Sequence, residues 1–298
     1  MTFRTEKRAF TLIELVVVLA VLAIVAHLAV REMSHFANSE RHEAADRQLR
    51  SFAEAVLSDD CESGFLADMG RLPRAVPMNE SEETLSLAEL VRAPCEYRVR
   101  TATGDALLSG AVEDASVAIP CGWRGPYINA PLWKNPRISD PWGNPFEGRD
   151  SAGYCRILDV ASNEIAAAGA EIGYVRHFGS DGQPDDRHAP GNDEARDLTV
   201  CLLPTGGTSS SLTVSRDFIV NKMKLEEAGD LMKPLSLRWY GAYEASITGG
   251  VEKIEVGADF ITLEKLVPGR KYIKVVDEES GKTSILVKLV LRPGANAF

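Results

Sequence analysis

Cysteine is sparse in this chain: Cys61, Cys95, Cys121, Cys155 and Cys201 are the only five, and no two form a Cys-x-x-Cys pair. That leaves zinc ribbons and thioredoxin-type redox motifs without support. Histidine is as thin. His27, His35, His42, His177 and His188 show no metal-ligand spacing, and Ser, His and Asp form no recognisable nucleophile motif, so the chain reads as a non-enzyme. Basic residues are in deficit, 33 against 43 acidic for a net charge of −10, which argues against a nucleic-acid surface and makes cations the expected ligands. Long apolar runs are missing everywhere except near the start.

That one run extends from Phe10 to Val30 and is interrupted by Glu14 and His27. A helix of about 20 residues spans a bilayer core, so one pass through a membrane is expected. Arg4, Lys7 and Arg8 against Glu6 make the preceding leader basic, which places the start of the chain on the cytoplasmic side and its bulk outside. A secretory signal is cut after its apolar core, whereas the small-residue junction here, Ala9-Phe10, lies before it. Cleavage there keeps the anchor. A carboxylate in lipid costs roughly 3 kcal/mol, so Glu14 requires a partner, and the amine freed by cleavage is the obvious one. His27 reads as an interfacial or inter-helix polar residue.

Lys7-Arg8-Ala9-Phe10-Thr11-Leu12-Ile13-Glu14-Leu15 closely resembles the class III prepilins, precursors of type IV pilins and of type II secretion pseudopilins. The resemblance implies cutting by a leader peptidase between Ala9 and Phe10 and N-methylation of Phe10. It also implies pairing of Glu14 with the terminal amine of a neighbouring subunit. Ala9 stands where the family usually has Gly.

Beyond the anchor, Ala45, Leu49, Phe52 and Val56 recur at steps of four, three and four, which continues one helix to about Leu57 as an amphipathic stem. Gly64, Gly70, Pro73 and Pro77 end that pattern, a short helix is expected around 84–92, and 101–118 reads as irregular. In Asp140-Pro141-Trp142-Gly143-Asn144-Pro145-Phe146 the prolines fix φ and the glycine frees it, so a tight turn should pin Trp142 against a core before a strand near Tyr154. This turn, following Trp123-Arg124-Gly125-Pro126-Tyr127, resembles the major pseudopilin of type II secretion systems, with Phe146 in place of a Tyr.

A strand over Ile172–Phe178 leads into a loop holding six carboxylates: Asp181, Asp185, Asp186, Asp193, Glu194 and Asp197. Hard cations take six to eight oxygens, which clustered acids and Gly-turned carbonyls supply, but the spacing is not that of an EF-hand. By itself the loop reads equally as a solvated turn. The pseudopilin resemblance, carried by Phe178-Gly179-Ser180-Asp181-Gly182, implies calcium there, with Asp181 and Asp197 as ligands ahead of Asp193, Asp185 and Asp186.

Gly206–Ser211 reads as a polar linker, and period-two runs from Leu212 on predict a small β-sandwich. The expected fold is α+β. A leader (1–9) precedes a long helix (10–57) packed on a small antiparallel-sheet pilin head (58–203), then a linker (204–211) and an all-β extension (212–298). In an oxidising periplasm as many as two disulfides could form with one thiol left over, the sequence assigning no pairing, and all five cysteines also read as buried thiols. The expected role is a structural pseudopilus subunit in the inner membrane, meeting a prepilin peptidase, other pseudopilins and an assembly platform. The alternatives are a minor pilin or surface-fibre adhesin that binds through the extension, and an anchored periplasmic enzyme.

Overall fold

The computed structural model describes residues 12–77, 85–92, 105–107, 118–129, 138–146, 148, 154, 156–160, 168–184, 197–202, 208–225, 233–244 and 246–298. Ala9, Phe10, Asp185, Asp186 and Asp193 lie outside these residues. The fold is α+β, with a long helix, antiparallel sheets and an all-β C-terminal region.

Helix α1, Leu12–Val56, is 45 residues long and so about 68 Å. Its two halves differ. Leu12, Ile13, Leu19, Ile24 and Val30 are all more than half exposed, whereas Ala45, Leu49, Phe52 and Val56 are buried, as the four-three-four spacing predicts. The Phe52 ring stands edge-on to Phe146 at 5.1 Å. Around this stripe gather Phe65, Leu66 and Met69 of α2 (Phe65–Met69), Leu90 of the short helix α3 (Ala88–Val91), and Ile157, Ile172 and Val175. The last three come from β5 (Ile157–Asp159) and β6 (Ile172–His177), which form a three-stranded antiparallel sheet with β7 (Leu198–Cys201) in the order β5-β6-β7. Two small antiparallel pairs come from the head's stretch of sequence: β1 (Val76–Pro77) with β2 (Leu85–Ser86), and β3 (Asp105–Leu107) with β4 (Ala118–Pro120), the latter lying against strands of the C-terminal region. The first strand of the second pair lies inside the stretch 101–118 read as irregular. The strand expected near Tyr154 starts at Ile157.

The C-terminal region is built on two sheets. One has the order β10-β9-β12-β13, from β9 (Leu235–Tyr243), β10 (Ser246–Ile254), β12 (Gly269–Asp277) and β13 (Val287–Leu291). The other is β11-β8-β14, from β8 (Ser210–Ser215), β11 (Phe260–Leu266) and β14 (Gly294–Ala297), with β14 parallel to β8. Leu212, Val214, Leu237, Ile273, Val275 and Leu291 form a core of their own. Two features depart from the sequence reading. β8 begins at Ser210, so the last two residues read as linker are strand. Helix α4, Arg216–Met223, follows at once, its start capped by Ser215 Oγ, which accepts the Phe218 N–H at 3.2 Å.

Head and extension meet through charges and close backbone contact. Arg71, its side chain 2% exposed, donates to both oxygens of Glu89 at 2.9 Å and, through Nε, to Glu244 of the extension at 3.2 Å. Arg74 reaches the same Glu244 oxygen at 3.1 Å, and Arg270 crosses the other way to Asp68 at 2.6 Å. The Glu244 N–H donates to Met69 O. Gly70, at φ +68, lies so close to Ala242 O that a Cβ would stand 2.3 Å from it, which only glycine tolerates. Cys61 and Cys201 are free thiols, which lowers the upper limit of two intrachain bridges to one.

Candidate functional site

Two sites follow from the sequence, one at the start of α1 and one at the acidic loop. α1 is long and apolar enough to cross a membrane by length and composition. Glu14 lies in its first turn, where a carboxylate also favours the helix dipole. From Leu12 to Val30 the apolar side chains are exposed among the described residues, as a stem that packs in lipid or on other helices would be.

The two motifs of residues 121–146 brace different parts of the head, and the second lies beside the entry to the acidic loop. Trp123 Nε1 donates to Glu89 O at 2.6 Å. Tyr127 OH accepts the Arg124 N–H at 3.0 Å and donates to Asp68 at 3.1 Å; burial and the Asp68 charge push the phenol far above its ordinary pKa. Asp68 is itself raised, chiefly by burial, although Arg270 and Tyr127 oppose this. A Cβ on Gly125 would press into the rings of Trp123 and Tyr127, so glycine is required there. In the second motif, buried Asp140 closes its own turn, one carboxylate oxygen accepting the N–H groups of Trp142 (3.0 Å) and Asn144 (2.8 Å). Its other oxygen meets Arg156, which is buried over the Phe178 ring at 4.9 Å.

Trp142, expected against a core, is half-buried between two histidines instead. Its ring lies 6.4 Å from His42 of the stem and 5.5 Å from His177 at the end of β6, and the two imidazoles meet edge-on at 5.6 Å. Sequence reasoning missed this trio, since the three residues are widely spaced along the chain. His177 is fully buried, and desolvation followed by His42 lowers its pKa to about 4. Its Nδ1 accepts the Gly179 N–H at 3.0 Å, so in the neutral ring Nε2 carries the proton and is no metal ligand. This hydrogen bond fixes the entry to the acidic loop.

At that entry the backbone takes positive φ at Gly179 and Gly182, the Gly182 N–H donates to Phe178 O, and exposed Asp181 accepts the Gln183 N–H at 3.0 Å. At the far end, half-buried Asp197 precedes β7, whose Leu198 pairs with His177 in the ladder. The ladder therefore brings the closing end of the loop back beside its opening. Among the described residues no group of three or more His, Cys, Asp or Glu side chains is placed to hold a metal ion. The two described carboxylates are hard oxygen donors of the kind a hard cation takes.

Residues 4–30 match the family model described as the prokaryotic N-terminal methylation motif. No curated protein matches the chain, and no solved structure does. The exposed apolar stem, Glu14 in its first turn and this motif across residues 4–30 support a type IV pilin-like subunit processed by prepilin peptidase.

Proposed function

We propose that this subunit belongs to a type II secretion pseudopilus. In this reading cleavage after Ala9 frees Phe10, which is methylated, and the charged amine pairs with Glu14 of a neighbouring subunit as stems pack side by side. The chain waits in the inner membrane with head and extension in the periplasm, and an assembly platform adds it to the filament. The observation that carries the reading is the split stem, one helix buried in its own head at Phe52 and bare from Leu12 to Val30. A bare apolar half ending in a paired carboxylate suits a subunit that moves from lipid into a helical core.

The head is held by calcium in the same reading, with Asp181 and Asp197 as its described ligands and Asp185, Asp186 and Asp193 completing the shell. Support comes from the loop's closed ends and its oxygen-rich content; a bound ion would replace carboxylate repulsion by shared coordination and tie the loop to folding.

Intact mass of the chain purified from membranes with and without prepilin peptidase tests processing. The expected product lacks residues 1–9 and gains one methyl group, while Glu14→Leu is processed but fails to enter filaments. An uncut chain that nevertheless assembles sinks the proposal. For calcium, calorimetric titration should give saturable binding that Asp181→Ala and Asp197→Ala both abolish, and a wild type that binds none removes the ion from the account.

A further inference from the structure

The outer face of the extension's four-stranded sheet carries cations that the described chain does not neutralise. Leu237 of β9 and Ile273 and Val275 of β12 point into the sandwich, so alternation puts Arg238, Tyr240, Tyr272 and Lys274 on the opposite face. The register sets Lys274 directly across from Arg238 and Tyr272 directly across from Tyr240. On the other side of Arg238 lies Val251 of β10, and Lys253, two residues further along, adds a third cation. Like charges directly opposite each other in a ladder repel.

Relief from within the chain is not seen among the described residues. Lys274 is 4% exposed and Arg238 Nε is buried without a hydrogen-bond partner. Glu278, the carboxylate that reaches this face, accepts a hydrogen bond from Ser236 Oγ and pairs with none of the three cations. The sheet's other buried lysine, Lys271, faces the opposite way and can shed its proton, since burial lowers its pKa to about 8. An arginine has no such exit, because a guanidinium keeps its charge inside proteins.

We propose that Arg238 and Lys274 form a binding site for an oxyanion, a phosphate, sulfate or carboxylate group, with Tyr240 and Tyr272 as its flanking wall. The guanidinium presents the planar fork that matches two oxygens, and the ammonium adds a point charge. The site belongs to the extension alone and stands whether or not the pseudopilus reading does.

Thermal unfolding of the full chain in detergent, titrated with inorganic phosphate at constant ionic strength, tests it. The expected result is a saturable rise in the unfolding temperature that chloride does not reproduce. Arg238→Gln should abolish the rise, and Lys274→Met should weaken the apparent affinity by about tenfold, the scale of one lost charge-assisted hydrogen bond. Arg238→Lys should keep part of the response. If phosphate also lowers the mass of the detergent-solubilised assembly, and Arg238→Gln does the same, the natural anion is a carboxylate of a second copy. A saturable shift at constant mass assigns the site to a free oxyanion. A wild type without a phosphate-specific rise, or an equal rise in Arg238→Gln, overturns the proposal.

Discussion

The head and the extension solve the same problem in opposite ways. The head builds its core on α1, a helix held by the domain from His42 onward that carries bare apolar residues from Val30 back to Leu12. The extension closes its core between two sheets and α4, and among the described residues no helix leaves it. A domain of the first kind is stable only while its helix is gripped, and it transmits to that helix whatever acts on the head. A domain of the second kind can be appended without changing the stem. Between them lies a joint of buried ion pairs, whose strength depends on every partner being present.

The largest blow to that comparison is Phe52→Ala. Phe52 is fully buried at the centre of the head core, and truncating a buried Phe costs about 3–5 kcal/mol. Hydrogen exchange should show the amides of β6 losing protection while those of β8 and β12 keep theirs. Equal loss in both domains would mean that the extension leans on the head and is not closed. Arg71→Leu is of nearly the same size, because it leaves Glu89 buried without its bidentate partner, a change worth about 3–5 kcal/mol. Here the loss should appear on both sides of the joint, and the Glu244 amide, bonded to Met69 O, reports it directly. An unchanged Glu244 amide would show that the ion pairs do not hold the domains together.

Lys271→Met sharpens the comparison from the extension's side. Lys271 is buried, with Gly241 leaving room for its chain, and its pKa falls from the ordinary 10.5 to about 8. The unfolded chain binds the proton more tightly, so the native state gains stability as pH rises from about 8 to about 10.5 and bears the full cost below 8. At about 1.4 kcal/mol per pH unit that cost is about 3 kcal/mol. The methionine variant should therefore unfold at a higher temperature than wild type at pH 7, and the advantage should vanish by about pH 10.5. A constant advantage across that range would show that packing, not charge, is responsible.

How much of this was legible in the sequence differs between the two regions for physical reasons. The stem's buried stripe followed from spacing, since Ala45, Leu49, Phe52 and Val56 fall on one side of a 3.6-residue helix, and the Asp140 turn followed from its prolines and glycine. The extension's strands showed as alternation. α4 did not, because its eight residues lie inside a run of strands, although Ser215 with Ile219 and Met223 behind it was a readable cap and stripe. The joint could not be read at all: Arg71 and Glu244 stand 173 residues apart, Asp68 and Arg270 202, and pairing at that separation leaves no local signal. The same holds for His42, Trp142 and His177, which only the fold brings together.

The smallest expected effect tests whether the extension really is self-contained. Ser215 caps α4 by accepting the Phe218 N–H, and losing such a cap costs about 1 kcal/mol. The Ser215 backbone also receives support, its N–H donating to Phe298 O, while the neighbouring Arg216 N–H donates to Asp259 O. These bonds survive in Ser215→Ala, so the cost should stay near that of the cap alone. Ile219 and Met223 of α4 are buried in the extension's core and in no part of the head's, so the loss should be confined to the amides of α4, β8 and β11. Calorimetry should show the extension's transition moving down by a few degrees with the head's unmoved. A shift of both by the same amount would mean that the charged joint couples the two domains more tightly than either core can resist.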